Sequence, residues 1–340
     1  MIHFYEVEDW EREPINRVFG YQASIDPQPL TPEKAEDARD CKVVSTFIYS
    51  SIDKSVLDQL PELELIATRS TGTDHIDLNE CSRRGIMVSH VPRYGDITVA
   101  EHTFALILAL AKKIVPSVDR TRRGEFSFKG LQGVELFGKT IGIVGTGRIG
   151  LNVARIARGF NMRLIGYDTR PNEEAARELD IAYVPYQQLL RDADILTFHV
   201  PELPETRHML NDGNISLLKP GCIVINTARG AVIETRALVR ALSENKIAGA
   251  GLDVLEEEPV IREERELVSS LFHQTHRLEA ILSGQILLRF SNVIITPHNA
   301  FNTDKAVQRV LDTAIDNVQS FLKGEPKNQV PLRKYALAGT

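Results

Sequence analysis

Residues 140–150 read Thr140-Ile141-Gly142-Ile143-Val144-Gly145-Thr146-Gly147-Arg148-Ile149-Gly150. The first five form a short apolar run of strand type. An amphipathic stretch, Ile149–Arg158, follows. A G-x-G-x-x-G between a strand and a helix is a phosphate cradle. Gly145 allows the tight turn, Gly147 lets backbone approach a pyrophosphate, and Gly150 lets helix pack on strand. The helix N-terminus adds N–H donors and partial positive charge. Asp168 closes the next predicted strand, 18 residues after Gly150. A carboxylate there accepts both ribose hydroxyls of an adenosine and repels a 2′-phosphate. NAD is therefore expected over NADP. Arg170, two residues on, is the feature that would partly accommodate a 2′-phosphate.

Outward from this turn, short β-rich runs alternate with helical stretches. Strands are expected near Ile2–Tyr5, Val43–Ile48, Leu65–Thr68 and Met87–Ser89. Later ones are expected near Arg163–Tyr167, Ile195–Val200, Cys222–Asn226, Ala248–Asp253 and Val293–Ile295. Helices are expected at Pro32–Ala38, Ser55–Gln59, Leu78–Arg84, Glu173–Glu178, Tyr186–Arg191 and Thr235–Ser243. Such alternation builds parallel sheets through βαβ crossovers. A long helix from Thr98 to before Pro116 is apolar nearly all round, which requires burial, between domains or subunits. Residues from Pro259 to Ser291 read as a helical insertion. A tail helix over Thr303–Lys323 is expected to return to the first domain. The fold class is α/β with two doubly wound parallel-sheet domains. One, discontinuous, spans 1–99 and 300–340, and the other spans 100–299.

The chain has 340 residues, too many for one ordinary core. Its formal charge of −6 argues against nucleic-acid binding through a basic face. The longest apolar stretch of that helix, Phe104–Ala111, is too short to span a bilayer. The opening MIHFYEVEDWERE lacks a basic-then-apolar signal pattern. Cys41, Cys81 and Cys222 are scattered and form no C-x-x-C pair, so a reducing, cytoplasmic setting is expected. The histidines His75, His90, His208, His273 and His276 show no metal spacing, and no metal is expected.

Three further motifs sit at predicted strand ends, where ligands bind in open α/β sheets. They are Asn226-Thr227-Ala228-Arg229-Gly230, Gly251-Leu252-Asp253-Val254 followed by Glu258-Pro259, and Thr296-Pro297-His298. Two earlier segments accompany them. One is Arg69-Ser70-Thr71-Gly72-Thr73-Asp74-His75-Ile76-Asp77. The other is Val91-Pro92-Arg93-Tyr94 with Val99-Ala100-Glu101-His102. With these in order, the chain resembles the D-2-hydroxyacid dehydrogenase family from about residue 40 to residue 325.

The resemblance implies a flavodoxin-like substrate domain, a Rossmann NAD-binding domain and a homodimer, formed through the apolar helix near Val99–Leu110. It implies a catalytic set of Arg229, Glu258 and His298. The chemistry agrees. A guanidinium grips a planar carboxylate through paired donors and polarises a neighbouring keto oxygen. Histidine is the natural proton donor near neutrality, and a carboxylate beside an imidazole favours its protonated form. Taken singly, Glu258 in the run Glu256-Glu257-Glu258 would be a solvated acid. The resemblance places Gly145, Gly147, Arg148, Ile149, Gly150, Asp168, His199, Val200, Pro201, Thr206, Thr227, Ala228 and Asp253 at the cofactor. The N–H groups of Thr71, Gly72 and Thr73 would bind a substrate carboxylate as a nest does, and domain closure would exclude water. Glu101 and His102 read as supports of the helix rather than as chemistry.

Within the family the likeness is to D-lactate dehydrogenases. It rests on the insertion after Pro259, on Tyr94, on Phe47-Ile48-Tyr49 and on Ala300-Phe301. Rings at Tyr49, Tyr94 and Phe301 would wall a methyl-sized pocket, which implies reversible reduction of pyruvate to D-lactate by NADH. Gly95-Asp96 after Tyr94, Asn299 and Asn302 depart from the family pattern and make the pocket rim more polar. They keep glyoxylate, hydroxypyruvate or a larger 2-keto acid open. Glu258, where formate dehydrogenases carry glutamine, argues against that activity, and no basic cluster suggests a phosphorylated substrate. The non-enzymatic alternative is an NADH-sensing, corepressor-like binding protein.

Overall fold

Two parallel sheets organise the chain, whose computed structural model describes residues 1–256 and 282–331. The first sheet contains β1 (Ile2–Phe4), β2 (Ala23–Ile25), β3 (Val43–Thr46), β4 (Leu65–Thr68) and β5 (Met87–Ser89). Their spatial order is β2-β1-β3-β4-β5, all parallel. This is the flavodoxin-like arrangement, with its reversal between β1 and β3. Neighbours along each strand serve opposite faces. Val43 and Leu65 join the core beneath the C-terminal helix Asp304–Leu322, while Val44 and Ile66 join the core on the other face. Strands covered on both sides must be apolar throughout, which is why they read as unbroken runs.

The second sheet contains β6 (Thr140–Val144), β7 (Arg163–Tyr167), β8 (Ile181–Tyr183), β9 (Ile195–Phe198), β10 (Cys222–Asn226), β11 (Ile247–Leu252) and β12 (Val293–Ile295). The order β12-β11-β10-β9-β6-β7-β8 reverses at β6, so β9 returns beside it. That is a doubly wound nucleotide-binding sheet with its switch point between β6 and β9. Ile141, Ile143, Ile195 and Ile225 pack on one face, and Val144, Leu196, Phe198 and Val224 on the other.

The described residues divide into two compact units, Met1–Tyr94 with Thr303 onward, and Gly95–Asn302. The apolar helix is shorter than its pattern suggests. It runs Asp96–Ala111, breaks at Lys113 in a left-handed conformation (φ 55°), and a second helix starts at Ile114. Pro116 then lies in the first turn of that helix, where its missing N–H is not needed. The first helix also finds its burial within its own unit, against the helix Arg148–Gly159 and strands β10 and β11. Ile97 and Ala105 remain exposed on its outer side.

Pro32–Ala38 is a 3-10 helix rather than an α-helix. An unforeseen helix, Asp9–Phe19, carries Pro14 inside and buries Glu11. The expected insertion lies mostly outside the described residues, which resume as helix at 282–287. No helix of the described residues is long and apolar enough to cross a membrane.

Candidate active site

The glycine turn follows β6 at the switch point. Gly145 has φ 90°, and a Cβ there would lie 2.7 Å from the carbonyl oxygen of His199. A Cβ on Gly150 would lie 2.0 Å from the Gly145 oxygen, so helix and turn touch through backbone alone. Gly147 differs, because its missing Cβ faces open space at the start of the helix Arg148–Gly159. That gap leaves room for a phosphate near the first N–H groups, which Arg148 and Ile149 contribute.

Asp168 stands beside this turn at the end of β7. Its Oδ2 accepts the Thr146 N–H at 2.7 Å and the Thr146 hydroxyl at 3.2 Å, and its Oδ1 accepts the Arg170 N–H at 2.8 Å. The carboxylate is thus set before any ribose arrives. Arg170 holds it through backbone, and its own side chain is exposed.

His199 follows β9 across the switch point. Burial pushes its imidazole down to about 3, so the ring is neutral. Its Nε2 pairs with the Thr197 hydroxyl at 2.9 Å, and its Nδ1 is buried without a partner. Val200 and Pro201 continue into a loop that Thr206 closes, donating its hydroxyl to the Pro201 carbonyl at 2.6 Å.

Arg229 rises three residues past β10. The side chain of Asn226 brackets the turn, donating from Nδ2 to the Arg229 carbonyl (2.9 Å) and accepting the Ala228 N–H (3.0 Å). The Thr227 hydroxyl meets that of Thr103 at 2.9 Å. Gly230 is required by close approach, since a Cβ would fall 2.1 Å from the Leu255 carbonyl.

Asp253 follows β11 and is 1% exposed. It was expected at the cofactor. Its carboxylate holds the turn after β12, accepting the Thr296 hydroxyl (2.5 Å) and the N–H groups of Asn299 (3.0 Å) and Ala300 (2.9 Å). His298 sits on that turn with φ 51°. Strands β10, β11 and β12 are consecutive neighbours, with Asn226 paired to Leu252 and Leu252 to Ile295. The loops bearing Arg229, Asp253 and His298 therefore leave one edge of one sheet side by side. Glu258 lies outside the described residues.

In the first unit, the loop after β4 is tied down by its own side chains. The Ser70 hydroxyl donates to the Gly72 carbonyl (2.6 Å), and the Thr71 hydroxyl donates to that of Val91 (2.6 Å). Among the described residues, none accepts the N–H of Thr71, Gly72 or Thr73. Three such donors in a row suit an anion. Tyr49 is exposed beside Phe47, and Tyr94 packs on Val91, Val310 and Ala314. Phe301 belongs to the second unit, near Gly95.

Several residues escaped the sequence reading. Glu256, in the acidic run, is only 9% exposed. It binds His208 Nε2 (2.6 Å) and the N–H and hydroxyl of Thr235, so it stitches three loops together behind Arg229. Glu6 (φ 57°) accepts the N–H groups of Phe47, Tyr49 and Ser50, while Arg69 grips its carbonyl at 2.7 Å. Lone acids in polar sequence carry no periodicity, so pattern reading passes over them.

The family model for the D-isomer specific 2-hydroxyacid dehydrogenase, NAD binding domain, matches residues 104–300, more than half the chain. The chain is 36% identical to the glyoxylate reductase of Pyrococcus furiosus, over 94% of this chain and 87% of that protein. The chain belongs to the D-2-hydroxyacid dehydrogenases. It is also 34% identical to the D-lactate dehydrogenase of Escherichia coli, over 92% of each. The solved D-lactate dehydrogenase of Aquifex aeolicus, complexed with NAD and lactic acid, shares the fold at a TM-score of 0.84, with 35% identity and 96% of each chain covered. NAD is the cofactor of this dehydrogenase, and the open space at Gly147, the preset Asp168 and the unpartnered His199 Nδ1 fit it.

Proposed function

We propose that this dehydrogenase reduces a small 2-keto acid to the D-2-hydroxy acid with NADH, pyruvate to D-lactate first among the candidates. The observation that carries the reading is that the Arg229 and His298 loops leave the ends of β10 and β12, the two strands that flank β11, in the sheet that carries the glycine turn. Arg229 binds the substrate carboxylate and polarises the keto oxygen. NADH supplies the hydride. His298 delivers a proton to the oxygen as negative charge grows there, and recovers it in the reverse direction. Glu258 is assigned to the imidazole as its carboxylate partner. Thr71, Gly72 and Thr73 are assigned as further carboxylate donors, and Tyr49, Tyr94 and Phe301 as the residues that set side-chain size.

Glyoxylate is the second substrate reading. It is favoured by the relatives named glyoxylate reductase and by Asn299, whose Oδ1 is buried without a partner. A panel of 2-keto acids scored by kcat/KM with NADH and NADPH separates the two. Highest kcat/KM with pyruvate supports the first, and with glyoxylate the second. Tight NADH binding without turnover of any of them would favour a nucleotide sensor. We assign homodimer formation to residues 114–137, where Ile114, Val115, Val118, Phe126, Phe128 and Phe137 are exposed. Exposed apolar surface of this kind marks association sites. A monomer by sedimentation would refute it.

A further inference from the structure

One polar side chain on the helix Asp96–Ala111 has a partner far along the chain. His102 Nε2 lies 3.0 Å from the Thr296 hydroxyl. That hydroxyl lies 2.5 Å from Asp253 Oδ1. The direct separation of His102 from Asp253 is 3.6 Å, too long for a hydrogen bond. The connection therefore runs through Thr296.

The hydrogens fix its direction. A carboxylate accepting two backbone N–H groups has no proton to give, so the single hydroxyl hydrogen of Thr296 goes to Asp253. The hydroxyl must then accept from His102, which places a proton on Nε2. Each link from helix to turn has a defined donor.

What this chain holds is the turn of His298. That residue sits at φ 51°, in the left-handed region that few non-glycine residues adopt. Its N–H bonds the Thr296 carbonyl at 2.9 Å on one side. On the other side the next two residues give their N–H groups to Asp253. Thr296 is common to both halves, through its carbonyl and through its hydroxyl.

We propose that His102 and Thr296 are positioning residues for His298, a relay from the helix through Asp253 that locks the left-handed turn presenting the imidazole. The proposal rests on His298 being the proton donor. Proton transfer needs hydrogen-bond reach, and a displacement of about 1 Å costs on the order of a hundredfold. A relay that sets the ring's orientation therefore acts on kcat, while NADH binding at the glycine turn stays as it was.

The test uses the full chain with NADH and pyruvate. Thr296→Val removes the hydroxyl at nearly constant volume, and Thr296→Ser keeps it. His102→Leu removes the donor, and His102→Gln retains one. We expect Thr296→Val and His102→Leu to lower kcat about 10- to 100-fold, with NADH affinity by fluorescence within about twofold. The solvent deuterium isotope effect on kcat should rise, because proton transfer becomes limiting. The Ser and Gln variants should recover most of the rate. Wild-type kcat in both the Val and Leu variants overturns the relay. So does a loss of rate with an unchanged isotope effect and no recovery in Ser or Gln. His298→Ala is the control. If it turns over normally, the functional reading fails. If it is inactive while Thr296→Val is normal, only the relay fails.

Discussion

At the scale of single residues, the proposed function assigns the proton to His298 and the nucleotide ribose to Asp168. His298 is held in a left-handed turn by Thr296 and Asp253. Asp168 is held ready by Thr146 and the Arg170 backbone. Arg170 meets Asp168 through its backbone N–H and its side chain is exposed, so the proposed discrimination at the ribose rests on the acid. Asp168→Ala should therefore erode the preference for NADH over NADPH by about tenfold or more, since a charged hydrogen bond is worth ~1.5–3 kcal/mol. Parallel kcat/KM measurements with the two cofactors check this, and an unmoved ratio assigns selectivity elsewhere. The positions of Arg229, Asp168 and His298 just past strand ends were legible in the sequence because each follows a short apolar run. Glu256, Glu6 and the His102–Thr296 link were not, because their partners lie tens to hundreds of residues away.

At the scale of elements, apolar runs announced the strands and glycines set how closely they pack. β11 contains Gly249 and Gly251. A Cβ on Gly249 would lie 2.4 Å from the Asn292 carbonyl, and one on Gly251 would lie 3.0 Å from Leu106 Cβ. The strand leans on the helix Asp96–Ala111 and on the approach to β12 with no room for a methyl group. Gly249→Ala should destabilise the protein by about 1–3 kcal/mol, as overpacked cores do, read from the urea midpoint. A midpoint equal to wild type contradicts that packing. The same helix shows what a pattern withholds. Its apolar circumference forecast burial correctly, but periodicity names no burial partner, and the partner is its own unit. Asp9–Phe19 was invisible because Pro14 and its charged neighbours hide the spacing of Ile15 and Phe19. β8 was missed because a three-residue edge strand gives too short a run.

For the whole molecule, buried histidines tie stability to pH. Burial lowers His3, His75 and His199, the last to about 3. In the unfolded chain such rings take up a proton near pH 6.5. Below that value the unfolded state binds more protons than the native one, so stability falls as pH falls, by up to ~1.4 kcal/mol per pH unit for each histidine. Above it these rings add no pH dependence. The urea midpoint of the cofactor-free protein should drop between pH 7 and pH 5, and His199→Asn should flatten the drop. An equal slope in that variant would show that His199 is not the group responsible.

The most direct measurement is NADH oxidation with pyruvate by wild-type protein and by His298→Ala, alongside NADH binding to both. Wild type should form D-lactate. The variant should lose turnover by about 10²–10⁴-fold, the usual worth of a general acid, while it binds NADH as tightly. A variant that reduces pyruvate at the wild-type rate would contradict the account, as would a wild type that binds NADH and reduces no 2-keto acid.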